Sequence, residues 1–140
     1  MLGSKRTLTL LAAKRIAGAA AQEAIKNSWA MVIAIVDDGG HLLYLERMDG
    51  GLLGSIEVAI GKARSAIQFK RPTKVFEDAL AAGRTGILKL PGAIPIEGGI
   101  PFAADGRFLG AIGVSGAAPQ HDGQVAEAGV EEFARMLLEL

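Results

Sequence analysis

The chain has 140 residues, half of them hydrophobic, and its fifteen basic and fifteen acidic side chains cancel. That balance gives no electrostatic case for nucleic acid or an anionic membrane as partner, and no apolar run reaches the length of a membrane span. The absence of cysteine excludes disulfides, thiolate metal sites and a cysteine nucleophile.

A length of this order suits one domain over residues 1–140. A mean hydropathy of +0.32 with no net charge points to surface buried between subunits. Near the N-terminus Lys5-Arg6 precedes an apolar run that mimics a signal peptide, but Lys14 and Arg15 cut it to seven residues. The expected location is the cytoplasm.

Residues 7–27 place Leu8, Leu11, Ala12, Ile16, Ala19, Ala20 and Ile25 at helical spacing, with Thr7 as N-cap. The small residues of that face suit close packing on a sheet. Ala30–Val36 reads as a strand, Asp37–Gly40 as a turn and His41–Arg47 as a second strand, together a hairpin with a longer loop. Leu52–Phe69 returns to helical period through Leu53, Ile56, Ile60, Ala63 and Ile67. Pro72 opens a shorter helix that fades at Gly83, since proline fits a first turn and not an interior. Residues 83–101 hold five glycines and three prolines, an irregular segment of the kind that is usually functional or mobile.

The stretch Gly98–Gly116 organises what remains. Asp105-Gly106 between apolar runs is a strong hairpin signal, and the uncharged run Phe108–Val114 suits a strand covered on both faces. Gly110, Gly113 and Gly116 remove side chains there, pointing first to close packing against a helix and second to a ligand approaching backbone. A last helix from about Asp122 to Leu140 has Ala126, Gly129, Val130, Phe133, Leu137 and Leu140 on one face, with Asp122 as N-cap. The order is α-β-β-α-α-loop-β-β-β-α, counting Ile94–Glu97 as a short strand. This is an α/β (α+β) fold with a mainly antiparallel sheet and helices on both faces.

The candidates for chemistry are few. His41 opens a strand at a turn, where an exposed edge residue is the plain reading and a ligand the sharper one. His121 precedes Asp122 at a helix start, a place for a capping neighbourhood or for binding polar ligands. No His or carboxylate set has metal-ligand spacing, so no metal is expected. Ser115, His121 and Asp122 lack the nucleophile elbow of a serine hydrolase, and Gly61-Lys62 lacks the upstream glycine of a P-loop. Lys62 and Arg64 lie off the apolar stripe of their helix, as solvated or snorkelling side chains do. Glu97 is the one carboxylate inside the glycine-rich loop and becomes a general base only if burial raises its pKa.

Taken together these stretches resemble the GlcG/HbpS/PduO C-terminal family, whose members are described as haem-degrading or haem-binding. The resemblance spans nearly the whole chain. It is carried by Val36–Gly40, Arg47–Gly50, Lys62–Ala66, Gly98–Pro101, Gly110–Gly116, His121-Asp122 and Ala128-Gly129, in that order and spacing. It implies a profilin-like three-layer α/β/α domain with a five-stranded antiparallel sheet, assembling into homo-oligomers. It further implies a pocket near subunit contacts, around Gly98-Gly99 and Ser115-Gly116. Some relatives bind haem or cobalamin-related cofactors, and others sit in catabolic operons.

Two functions follow as expectations. In the first, the protein binds a small molecule, with haem or another tetrapyrrole as the leading candidate. His121 would then ligate or orient it, Lys62 and Arg64 would pair with propionates, and Gly98, Gly99, Ser115 and Gly116 would supply backbone donors. In the second, it is a catabolic enzyme acting on a small organic acid as an isomerase, hydratase or tautomerase. His121, Asp122 or Glu97 would be the acid/base and Arg64 the carboxylate clamp. A non-catalytic accessory subunit is the third reading.

Overall fold

The computed structural model describes residues 1–140. Helix α1 (Leu10–Lys26) leads into a hairpin of β1 (Val32–Asp37) and β2 (Leu42–Arg47). Helices α2 (Ser55–Phe69) and α3 (Thr73–Ala81) follow, then a 3-10 turn over Thr85–Lys89, and β3 (Gly99–Ala104), β4 (Arg107–Ser115) and α4 (Pro119–Leu137) complete the order. The strands form one sheet, β2-β1-β4-β3, in which every neighbouring pair is antiparallel.

Helices α1 and α4 cover one face of the sheet and α2 the other. Side chains alternate between the two along β1. Ile33 and Ile35 join Ile16, Phe102, Val114 and Phe133 on the α1/α4 side, whereas Val32 and Ala34 meet Ala59, and Val36 meets Ala63 and Ala66. With both faces covered, the strand has no polar alternation.

Small residues set how closely α2 approaches. Its Ala59, Ala63 and Ala66 sit over Ala34, Ala111 and Gly113, and a side chain at Gly113 would collide with the Ala59 carbonyl and stand 2.5 Å from the Ala63 nitrogen. The strand glycine is there for packing. At the β3–β4 turn Asp105 and Gly106 both have positive φ, 54° and 75°, as a two-residue type I′ turn requires.

The sheet has four strands, not five. Ile94–Glu97 stays irregular because side chains take its backbone donors: Ile94 N–H donates to Ser65 Oγ at 3.1 Å, and Glu97 N–H to a carboxylate oxygen of Glu77 at 3.2 Å. Helix starts also differ from expectation. Thr9, not Thr7, caps α1 by accepting from Ala12 N–H at 3.1 Å. Helix α2 begins at Ser55, after a turn at Leu53-Gly54. Helix α4 begins at Pro119, whose fixed φ suits a first helical position, which leaves Asp122 inside the first turn rather than capping it.

Candidate functional site

The start of β3 meets the first turns of α3 and α4 at a cleft of about 210 Å³, lined by Pro72, Lys74, Glu97, Gly98, Gly99, Ile100, Gly123 and Glu127. Glycines make the room. Gly98 holds φ at +133°, a region that L residues rarely adopt, and a Cβ there would lie 2.5 Å from Val114 O and 2.9 Å from Lys62 Nζ. A side chain at Gly99 would strike the Lys62 carbonyl, and one at Gly123 would strike the Glu97 carboxyl. Thr73, fully buried at the start of α3, accepts the Gly99 N–H at 2.9 Å and ties that helix to the strand.

Glu97 therefore lies against bare backbone of α4, with its side chain only 20% exposed. Burial holds its carboxyl above the ordinary glutamate range; Glu77, Asp78 and Asp122 push the same way, while the Lys74 ammonium, 3.9 Å away, pulls it down. A carboxyl with raised proton affinity in a cleft is equipped to exchange protons.

Behind the cleft, Lys62 is sealed from solvent at 1% exposure. Its ammonium donates to Val114 O and to Asp122 Oδ2, both at 2.9 Å, and Asp122 Oδ1 accepts the Ala117 N–H at 2.9 Å. Burial pushes the Asp122 carboxyl up against the pull of Lys62. The reading of Lys62 as a solvated or snorkelling side chain is corrected here: Asp122 and a strand carbonyl satisfy it inside the fold. So enclosed, it makes no contact with an outside propionate.

The remaining expected residues fall elsewhere. His121, one position before Asp122, turns onto Trp29, with ring centroids 4.3 Å apart and planes 18° apart. Arg64 donates through Nε to Gly40 O at 3.1 Å and braces the β1–β2 turn. Ser115 pairs with Val32 at the end of β4, and Gly116 lies against the Ala30 carbonyl. Of the residues expected from sequence, the cleft gathers Glu97, Gly98 and Gly99, with Lys62 and Asp122 directly behind them. Lys74, Glu127, Gly123 and Thr73 were not anticipated. Only the position of Thr73-Lys74 just after Pro72, at a helix start, offered a signal.

No group of three or more histidine and carboxylate side chains is placed to hold a metal ion. A haem needs an axial side chain beside an apolar slot. The most apolar cleft, about 360 Å³ between the N-terminal segment and the end of α4, presents Leu8, Leu109, Phe133, Met136 and Arg6 but no imidazole. His121 is stacked on Trp29, and the His41 side chain is 83% exposed at a turn. Within one subunit no imidazole borders that apolar cleft, and Met136 is the side chain on its wall able to serve as an axial ligand.

Fold and cleft together define a three-layer α/β/α domain with a partly buried carboxyl, Glu97, beside a glycine wall. The chain belongs to the HbpS-like family, whose model, described as "Haem degrading protein HbpS-like", matches residues 8–131. It is similar to Protein GlcG of Escherichia coli strain K12, with 41% identity over 112 residues, 80% of this chain and 84% of that one. Among solved structures, Klebsiella pneumoniae protein ORFY superposes with a TM-score of 0.87 at 30% identity, covering 96% of this chain and 97% of that one. The haem complex of PduOC superposes with a TM-score of 0.82 at 25% identity, covering 91% and 95%. No helix is long and apolar enough to cross a membrane.

Proposed function

We propose that the chain binds a small polar molecule in the cleft at Glu97–Gly99 and that Glu97 exchanges a proton with it. The observation that carries this reading is the placement of the Glu97 carboxyl, desolvated against Gly123 and open to the cleft. At about 210 Å³ the cleft is smaller than the roughly 300–1,000 Å³ that drug-sized ligands occupy, which supports a short-chain organic acid or its hydroxy or keto analogue. Lys74, rather than Arg64, is the cation on the cleft wall and faces an anionic group of the ligand. Isomerisation, tautomerisation and hydration are the reactions such a group serves without a cofactor.

The test is a titration of the protein with a panel of short-chain hydroxy and keto acids, followed by NMR, beside Glu97→Gln. Saturable binding with turnover or proton exchange that Glu97→Gln removes is the expected result. Turnover that survives the substitution sinks the reading.

Haem is the second reading, and the solved haem complex of PduOC favours it. Since a single subunit does not join an imidazole to an apolar slot, this reading places haem between subunits, with exposed His41 or half-buried His121 as ligand. The exposed apolar side chains Leu11, Leu52, Leu53 and Leu88 support self-association into a homo-oligomer. A haemin titration with His41→Ala and His121→Ala decides. A Soret shift that saturates and is lost in one variant supports it, and non-saturating binding indifferent to both discards it.

A further inference from the structure

Gly98 is buried, and its N–H donates to no other group of the chain, although its carbonyl accepts the Val114 N–H at 2.9 Å. Buried backbone donors are nearly always paired, so an orphan on the wall of a cleft marks where a ligand acceptor belongs. Directly behind the same residue stands the Lys62 ammonium: the position of a Gly98 Cβ is 2.9 Å from Nζ. A bare glycine Cα is all that separates this ammonium, paired with Asp122 behind it, from the cleft. Helix α2 otherwise packs on the sheet through alanines and the isoleucines Ile56, Ile60 and Ile67, and a buried ion pair is a weak source of stability, since apolar replacements are often neutral or better. Packing alone gives no reason for a lysine here.

We propose that Gly98, backed by Lys62, is an oxyanion subsite of this cleft and that the ligand is a small enolisable carbonyl compound. The inference rests on the acid/base reading of Glu97 and narrows its substrate. The carbonyl oxygen accepts the Gly98 N–H, and the Glu97 carboxylate takes a proton from the carbon beside the carbonyl. The C–H electron pair becomes the new C=C bond, and the carbonyl π pair moves onto oxygen, where the Gly98 N–H holds it in the field of Lys62. Glu97 then returns the proton to the same carbon as the oxyanion pair re-forms the C=O bond, so no oxidant, reductant or cofactor is consumed. Lys62 does not touch the ligand; it is a positioning residue acting through Gly98.

Pyruvate, a short-chain keto acid with enolisable C–H hydrogens, in D2O is the probe. Proton NMR follows exchange of its C–H hydrogens, and nitrogen-15 spectra of the labelled protein follow the Gly98 amide. The expected result is saturable exchange, a shifted Gly98 amide, and a kcat for exchange lowered about tenfold or more by Lys62→Met/Asp122→Asn with KM within about twofold. A purely structural role would not split kcat from KM in this way. The double substitution leaves no lone charge buried; should it fail to fold, the Gly98 amide of the native protein decides by itself. An unchanged kcat, a Gly98 amide that does not move, or binding without exchange overturns the subsite. Shifts at Glu97 and Gly123 that spare Gly98 do the same while keeping the cleft as a binding site. If no cleft amide shifts, the acid/base reading falls as well.

Discussion

Lys62 Nζ and Asp122 Oδ2 meet at 2.9 Å with both side chains nearly sealed from water, and this contact ties the middle of α2 to the first turn of α4. A third element, strand β4, is drawn in through Val114 O, so one ammonium fixes the three elements that surround Gly98.

Removing one partner strands the other as a buried charge, which costs about 3–5 kcal/mol. Lys62→Met and Asp122→Leu are each expected to lose stability of that order, while the combined substitution recovers most of it. Urea unfolding of the two single variants and the double gives the coupling directly. Additive losses would show that the pair is not formed in solution.

Glu97 makes a pH prediction that does not depend on any ligand. Its folded-state carboxyl holds a proton more tightly than the ordinary glutamate, whose value is 4.5, because burial disfavours the charge. The sign follows from linkage: this group contributes stability below about pH 4.5, and the contribution is lost as pH rises through the higher folded value. Glu97→Gln is therefore expected to stabilise the protein near neutral pH, with the advantage shrinking toward pH 4. Denaturation curves at both ends of that range settle it, and a gap that widens on acidification refutes the burial argument.

At Gly113 the expected effect is steric. A methyl group there has backbone of Ala59 and Ala63 in its way, and backbone on a packed helix does not step aside. Overpacking of this kind costs about 1–3 kcal/mol or more, so Gly113→Ala is expected to lower the thermal midpoint by several degrees. A variant as stable as the native protein would mean that α2 does not sit as close to β4 as these alanines allow.

Much of this architecture was legible in the residues. The apolar runs of β1 and β4 announced a sheet covered on both faces, and Asp105-Gly106 announced its own turn, because local chemistry decides these features. The absent fifth strand was not legible: the backbone donors of Ile94 and Glu97 are taken by Ser65 and Glu77, which lie far away in sequence. The site divided in the same way. Glu97, Gly98 and Gly99 are contiguous and were visible as a unit, whereas Gly123 and Lys74 enter through helices whose docking no local pattern reports. Lys62 was misjudged because helical periodicity places a residue on a face but says nothing of a carboxylate waiting sixty positions later.

His121 and Trp29 supply the remaining prediction, and here the composition helps. Trp29 is the sole tryptophan, so its fluorescence reports one site without interference. The imidazole stacks on the indole at 4.3 Å, both rings half-buried, where the end of α1, the start of β1 and the first turn of α4 converge. An aromatic pair of this geometry contributes about 0.5–1.5 kcal/mol beyond the area it covers. His121→Ala is expected to cost stability in that range and to move Trp29 emission to longer wavelength, since the ring face then meets water. The Asp122 contact lies on the neighbouring side of the helix, so the same variant is expected to leave the titration of Glu97 unchanged. A stable variant with unmoved emission would mean that the stack is not populated, and His121 would then be free to ligate at the surface.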